Sequence, residues 1–204
     1  EGGAPAVPWD AVAQVSSRVM AEDLSRFVSQ LRAIPVPVAA LKDPALSWYR
    51  GGPLAVLDED FHNAVDACRG IAGLDLDLHR AIEVWEAALA AEQDVTPALT
   101  WVHGDLLAEN LLVRDHGLAA VLDFGGLAIG DPTVDLVVAW EVLDPEGRHA
   151  FREAVDADDD SWARSKGWAL LIAMITFPYY WDTMPVRCAA RRTLASTVLA
   201  ESPT

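Results

Sequence analysis

Basic residues are scarce in this chain. Its 204 residues include 15 Lys and Arg against 31 Asp and Glu, which gives a formal charge of −16. This balance argues against a nucleic-acid-binding protein, because such proteins present a basic surface to the phosphates. An acidic surface is compatible with a small cationic partner, and equally with a surface that only keeps the protein in solution.

Cysteines and long apolar runs are also few. Cys68 and Cys188 form neither a metal-binding motif nor a disulfide framework, which favours a reducing cytoplasm. The longest apolar run, 168–181, is too short to cross a bilayer and contains Pro178, so it predicts a buried helix over 162–177 that stops at this proline. Residues 1–9 lack the basic and apolar segments of a signal peptide. We therefore expect a globular cytoplasmic protein without a membrane partner.

The most informative stretch of the chain runs from Trp101 to Asp135. Two short apolar segments, 111–113 and 118–122, are typical of the strands of a hairpin. The residues between them predict a turn, with Gly117 expected to take the positive φ that such a turn requires.

Four polar residues surround this hairpin. Asn110 precedes its first strand, Asp123 follows its second, and His103 and Asp105 lie on the loop that leads in. Because an antiparallel hairpin brings its two ends together, Asn110 and Asp123 are expected to be neighbours. Their oxygens suit Mg²⁺, which binds through one or two carboxylates together with substrate phosphates. The order H-x-D-x-x-x-x-N followed by D-F-G is the signature of kinase catalytic and metal-binding loops.

This stretch resembles the aminoglycoside phosphotransferase family, small-molecule kinases with a protein-kinase-like fold. Gly104 stands where protein kinases usually have Arg, as in that family, and Gly130-Asp131-Pro132 followed by Asp135 also matches. Weaker similarities lie at 34–35, 50–54 and 191–194. The resemblance implies an α+β, mainly α-helical fold: a protein-kinase-like C-terminal lobe in which a short β-hairpin carries the catalytic and metal-binding loops.

The resemblance also implies an activity and its residues. The γ-phosphoryl group of ATP or GTP would pass to a hydroxyl of a small substrate, such as a cationic aminoglycoside or a macrolide. Asp105 would align and deprotonate that hydroxyl, and Asn110 and Asp123 would hold Mg²⁺.

Three residues are expected to support the catalytic loop. Asp131 precedes Pro132 and is placed to cap a helix. Asp135 lies in an apolar helix and needs donors, which we expect to be backbone N–H groups of the loop or His103. His103 itself is interpreted as a brace of the loop and not as a catalyst.

Four residues are candidates for substrate binding. Glu109 ends a Leu-Ala-Glu segment where many relatives have His-Pro-Gly, and it either binds a cationic substrate or faces solvent. The late helices of the family wall the substrate cleft, so an aromatic and acidic cluster there either holds a sugar ring or an ammonium group, or packs at a helix end. That cluster is Tyr179, Tyr180 and Asp182.

Two parts of a complete kinase are missing from this sequence, a G-x-G-x-x-G loop and a Lys in a strand. Neither Lys42 nor Lys166 lies in a strand resembling V-A-I-K. The chain is therefore expected to be a C-terminal lobe without the N-terminal β lobe, and to bind nucleotide weakly and turn over little on its own. The expected parts are a hinge remnant at 1–8, a helical part at 9–95, a catalytic and metal-binding core at 100–135, and C-terminal helices at 136–204.

Two other functions stay open at this point. A metal-dependent hydrolase could use His103, Asp105 and Asp123, but it would leave Asn110 and the G-D-P segment unexplained. A non-catalytic module could bind a small molecule or a protein partner in the cleft of the lobe. The presence of all three kinase residues favours the enzyme.

Overall fold

The structure, a computed structural model, describes residues 7–8, 15–93, 95–96 and 98–201. The chain forms two compact units. The first comprises Glu1–Gly52 and Pro97–Ala157, and the second comprises Pro53–Thr96 and Asp158–Thr204. The predicted hinge remnant at 1–8 lies outside the described residues except for Val7 and Pro8.

The helices of the first unit are α1 (Ser17–Arg32), α4 (Val138–Val142) and α5 (Pro145–Ala154). Helix α1 buries Met20, Leu24 and Val28 at helical spacing, as an amphipathic helix on a core should. Asp144 caps α5, because its Oδ1 accepts a hydrogen bond of 2.8 Å from the Gly147 N–H. The same residue ties α5 to α1, since the Asp144 N–H donates to Ser17 Oγ at 2.9 Å.

The first unit also holds two small antiparallel sheets. One contains β1 (Val7–Pro8), β3 (Leu111–Arg114) and β4 (Gly117–Val121) in the order β1-β3-β4. The other pairs β2 (Thr100–Val102) with β5 (Ala128–Gly130). Strands β3 and β4 are the predicted hairpin, with Leu111 opposite Val121.

The turn of the hairpin differs from the prediction for Gly117. Positive φ angles occur at Asp115 (52°) and His116 (67°), and Gly117 begins β4. A two-residue turn with positive φ at both central positions follows the right-handed twist of the strands. A glycine at 117 has another use, since a Cβ there would lie 3.0 Å from Asp23 Oδ2 of α1. That carboxylate accepts a hydrogen bond of 2.9 Å from the Leu118 N–H and so fastens β4 to α1.

The second unit is helical. It contains α2 (Asp58–Cys68), α3 (Leu78–Ala90), α6 (Asp159–Tyr180) and α7 (Pro185–Ala200). The indole of Trp85 stacks on the ring of Phe61 with centroids 4.3 Å apart, and its Nε1–H donates to Asp58 Oδ1 at 2.7 Å. Both the apolar body and the polar edge of this buried tryptophan are therefore satisfied.

Helix α6 is the long buried helix predicted from the apolar run, but it does not end at Pro178. It continues to Tyr180, and Pro178 lies inside its last turn. The turn persists because the Trp181 N–H still donates to the Phe177 oxygen at 3.0 Å. Within the described ranges, no helix has the length and apolar composition that a membrane crossing requires.

The close approach of α6 to α3 gives a test of this packing. A Cβ on Gly167 would lie 2.7 Å from the Cβ of Ala88, an atom that no side-chain rotation can move. Alanine improves helix propensity by about 1 kcal/mol, but overpacking a core costs about 1 to 3 kcal/mol. We therefore expect Gly167→Ala to lower the melting temperature. In the control Gly70→Ala, the new Cβ meets only the Ala67 oxygen at 3.7 Å, and the melting temperature should not fall. An unchanged or higher melting temperature for Gly167→Ala would show that α3 and α6 are not this close.

Candidate functional site

The pairing of β2 with β5 brings the two predicted loops together. Val102, the last residue of β2, lies opposite Ala128, the first residue of β5. The residues that follow Val102 therefore lie against those that precede Ala128. Gly104 shows how close this approach is, since a Cβ on it would lie 2.4 Å from the Gly126 oxygen, and its φ is +75°. Both facts explain why glycine stands at 104, where a larger residue would separate the loops.

A buried carboxylate braces the backbone of this loop. The His103 N–H donates to Asp135 Oδ2 at 2.7 Å, and the Gly104 N–H donates to Asp135 Oδ1 at 2.9 Å. These are the contacts expected of Asp135 from the sequence. Burial raises the pKa of Asp135 above that of an ordinary carboxyl, while the two backbone hydrogen bonds and the charge of Arg32 oppose the rise.

The ring of His103 ties the loop to the end of the hairpin. Its Nδ1 accepts a hydrogen bond of 3.3 Å from the Asp105 N–H, and its Nε2 lies 2.9 Å from the Leu122 oxygen. Those partners assign the tautomer with the proton on Nε2. The ring is fully buried, and its centroid lies 4.7 Å from that of Phe124 in an edge-on contact. His103 thus has the contacts of a brace.

Besides His103, two residues hold Asp105. Its backbone oxygen accepts a hydrogen bond of 2.8 Å from the Asn110 side-chain amide, which also reaches Asp105 Oδ2 at 3.3 Å. Asp105 Oδ1 accepts a hydrogen bond from Arg50 Nη1 within an ion pair. The backbone and both carboxylate oxygens of Asp105 therefore form hydrogen bonds, and 27% of the side chain is exposed.

Asn110 and Asp123 lie at the same end of the hairpin. The Leu122 N–H donates to the backbone oxygen of Asn110 at 2.8 Å, which extends the ladder of β3 and β4 by one hydrogen bond. Asp123 follows with a φ of 57°, and its Oδ1 accepts a hydrogen bond of 3.2 Å from the Gly125 N–H. The described residues hold no cluster of three or more His, Cys, Asp or Glu side chains able to bind a metal. Asn110 and Asp123 supply one amide and one carboxylate instead of such a cluster. A metal ion bound by these two groups keeps coordination positions for water and phosphate oxygens.

Comparison with known proteins identifies the family. A sequence profile of the phosphotransferase enzyme family matches residues 1–168, which include the whole of this site. The chain belongs to the phosphotransferase enzyme family. A search of curated protein sequences finds no match.

Solved structures of phosphotransferases share the fold. A spectinomycin phosphotransferase bound to AMP gives a TM-score of 0.65 at 11% identity, over 97% of this chain and 70% of that one. A macrolide 2'-phosphotransferase from Brachybacterium faecium gives 0.54 at 21% identity, over 98% and 68%. An ADP-bound aminoglycoside phosphotransferase gives 0.52 at 16% identity, over 93% and 66%. The chain thus spans roughly two thirds of the length of each of these relatives. The predicted fold class, mainly helical with a short hairpin, is confirmed.

The remaining predicted site residues of this chain occupy several places. Asp131 caps the 3₁₀ turn Pro132–Val137, because its Oδ1 accepts a hydrogen bond of 2.9 Å from the Thr133 N–H. Glu109 is exposed and has interactions of its own. Three residues belong to the second unit, around the end of α6, where Tyr179 is 80% exposed. These are Tyr179, Tyr180 and Asp182.

Two residues of the site are not predicted from the sequence. Arg50 lies in a segment that resembles the family, but its pairing with Asp105 is seen only in the structure. Glu141 is the other, and its Oε2 accepts a hydrogen bond of 2.7 Å from the Ala108 N–H of the loop. An acidic residue between buried Trp140 and Val142 is the same signal that pointed to Asp135. Nothing local to Arg50 indicates its partner, which lies 55 residues away along the chain.

The bracing by Asp135 is tested by Asp135→Asn. An amide oxygen can accept one of the two N–H bonds, but its NH₂ group faces the other, so unfolding should require about 1 to 3 kcal/mol less at pH 7. Because the pKa of Asp135 is higher in the folded state than in the unfolded state, its protonation adds to the free energy of unfolding. This contribution is present in full below the unfolded pKa of about 3.9 and is lost as the pH rises through the folded pKa. The asparagine does not titrate. The stability gap between wild type and variant should therefore widen as the pH falls, measured by urea unfolding at several pH values.

A matched substitution controls for the change from acid to amide. Asp144 accepts one backbone hydrogen bond as the cap of α5, and asparagine caps helices about as well. Asp144→Asn should stay within about 0.5 kcal/mol of wild type at pH 7. A gap for Asp135→Asn that narrows on acidification would mean that hydrogen bonding outweighs burial and lowers the pKa of Asp135.

Proposed function

We propose that this chain carries the catalytic loop of a small-molecule O-phosphotransferase, which transfers the γ-phosphoryl group of ATP or GTP to a substrate hydroxyl. The observation that carries the proposal is the fixed carboxylate of Asp105. Asn110 is hydrogen-bonded to it, and Asp123 lies at the same end of the hairpin as Asn110. This is the arrangement that phosphoryl transfer requires, since the protein mainly positions groups and stabilises charge.

Asp105 is assigned the role of base. The acceptor hydroxyl gives its proton to the Asp105 carboxylate, its oxygen forms a bond to the γ-phosphorus, and the bond between the γ-phosphorus and the β-phosphate oxygen breaks. The nucleoside diphosphate keeps the electrons of that bond. Asn110 and His103 hold the backbone of Asp105, so the base keeps its place while the substrates exchange.

The residues present fit Mg²⁺, which when bound neutralises charge on the phosphates. The Asn110 amide nitrogen is engaged by Asp105, which leaves its carbonyl oxygen as the metal donor. Asp123 is exposed, and only its Oδ1 takes part in the turn with Gly125. Asn110 and Asp123 would therefore hold the ion, and Asp105 would stay outside its ligand set.

The acceptor is assigned to hydroxylated natural products. Solved relatives contain gentamicin, streptomycin with ATP, or kanamycin with GDP, and others contain ADP or AMP. A formal charge of −16 suits a cationic acceptor. Glu109, Tyr179, Tyr180 and Asp182 are the proposed contacts for it. The two free cysteines, Cys68 and Cys188, are buried and suit the cytoplasm, where we place the reaction.

A second candidate is a non-catalytic module that binds a small molecule or a partner. It is favoured by the sequence itself, which contains neither a G-x-G-x-x-G loop nor a lysine in a segment resembling V-A-I-K. We therefore assign transfer to the full-length gene product and expect the isolated chain to bind nucleotide weakly. Tight binding of ATP by the isolated chain, measured by titration calorimetry, would contradict that expectation.

Replacement of Asp105 tests its assignment as the base of the transfer reaction. Asp105→Asn should lower the rate of transfer by a factor of about 100 to 10,000 in the full-length protein, because the amide cannot take the proton. The assay follows the conversion of ATP or GTP in the presence of a panel of aminoglycosides and macrolides. The control is Asp115→Asn in the hairpin turn, where the φ of 52° suits asparagine as well as aspartate. Transfer at the wild-type rate by Asp105→Asn would remove Asp105 from the chemistry.

The metal role of Asp123 has its own test. Transfer should stop in EDTA and return with excess Mg²⁺, and Asp123→Asn should need at least about tenfold more Mg²⁺, because one charged ligand is lost. Asp156 is a fitting control, since it is exposed and has a φ of 53°, close to that of Asp123. Asp156→Asn should keep the wild-type Mg²⁺ dependence. An equal dependence in both variants would assign the ion to other ligands.

A further inference from the structure

Arg50 directs its side chain at the proposed base. Its Nη1 donates to Asp105 Oδ1, and its Nε donates to the Tyr49 hydroxyl at 2.8 Å. The guanidinium also lies over the Tyr49 ring, 5.5 Å from its centroid. Only 16% of the Arg50 side chain is exposed, so this is a partly desolvated ion pair and not a surface contact.

The backbone that carries Arg50 is fixed to the site at two places. The Gly51 oxygen accepts a hydrogen bond of 2.7 Å from the Asp131 N–H, and a Cβ on Gly130 would lie 2.5 Å from that same oxygen. On the other side, Trp48 Cδ1 would lie 3.3 Å from a Cβ on Gly104. The segment 48–51 is therefore held against both the G-D-P segment and the catalytic loop.

Without Arg50 the Asp105 carboxylate would be weakly held. Its other side-chain contact among the described residues is the Asn110 amide at 3.3 Å, near the limit of a hydrogen bond, and that amide bonds more closely to the Asp105 backbone oxygen at 2.8 Å. The backbone of Asp105 would stay in place, but its side chain would be free to rotate away from an acceptor hydroxyl.

We propose that Arg50 is a positioning residue for Asp105. It holds Oδ1 so that the carboxylate keeps the orientation needed to take a proton from the acceptor. The inference rests on the proposed phosphotransferase function. It depends on the planar guanidinium, whose Nε and Nη1 reach Tyr49 and Asp105 at once, and not on positive charge alone.

The test compares three variants of the full-length protein in the transfer assay. Arg50→Met should lower kcat about 10- to 100-fold, because a misoriented base loses rate, while the KM for nucleotide stays within about threefold. Arg50→Lys keeps the charge but cannot form both bonds, and it should lose nearly as much. Arg69→Met removes an exposed arginine from a 3.0 Å pair with Asp66 and should leave kcat unchanged.

Chemical rescue separates positioning from a merely structural role. Guanidinium at millimolar concentration should restore part of kcat to Arg50→Ala, because it can occupy the vacated site beside Asp105, and urea, its neutral analogue, should not. Wild-type kcat in Arg50→Met, full activity in Arg50→Lys, or equal rescue by urea would each overturn the proposal.

Failure of the inference and failure of the function give different results. Wild-type transfer by Asp105→Asn would refute the role of Asp105 as base, and with it any positioning of that base by Arg50, but not the transfer activity. An inactive Asp105→Asn with a fully active Arg50→Met would refute only the role of Arg50. If no acceptor in the panel is phosphorylated, thermal unfolding of Arg50→Met, Asp105→Asn and the double variant still decides. The melting temperature of the double variant should fall by less than the sum of the falls in the two single variants. Additive falls would overturn the pairing of Arg50 with Asp105.

Discussion

The buried carboxylate of Asp135 is the contact on which the site depends. It accepts the N–H groups of His103 and Gly104, which would otherwise be buried without a partner in the loop that presents Asp105. A carboxylate has enough acceptor capacity for both bonds and no hydrogen that would oppose either one. Its burial raises its pKa, so the brace costs stability that the packing around it must offset.

Close contacts between backbone segments bring the other parts of the site to the braced loop. Gly104 lies against Gly126, and Gly130 lies against Gly51, with separations that no side chain at 104 or 130 could accept. These contacts join the catalytic loop, the metal-binding loop and the segment that carries Arg50. As a result, Arg50 reaches the Asp105 carboxylate from 55 residues away along the chain, while His103 and Asn110 hold Asp105 from within the loop itself.

The sequence predicted the parts of the site that depend on local spacing. The hairpin and the placement of Asn110 and Asp123 at its ends follow from short strands flanked by turn residues. Asp135 could be inferred because a carboxylate in an apolar segment needs donors. Arg50 could not, because its partner is set by tertiary packing and no pattern near it indicates one. The helix through Pro178 is a similar case, since the buried length of α6 outweighs the effect of one proline in its last turn.

The geometry of the metal and the base is best tested by a crystal structure of the full-length protein with Mn²⁺ and a non-hydrolysable nucleotide. Anomalous scattering then locates the ion without ambiguity. We expect the Mn²⁺ ion to be bound by the side-chain oxygens of Asn110 and Asp123 and by the phosphates. Asp105 should not be one of its ligands and should stay paired with Arg50. An ion held by His103 and Asp105 would contradict the account and would favour a metal-dependent hydrolase.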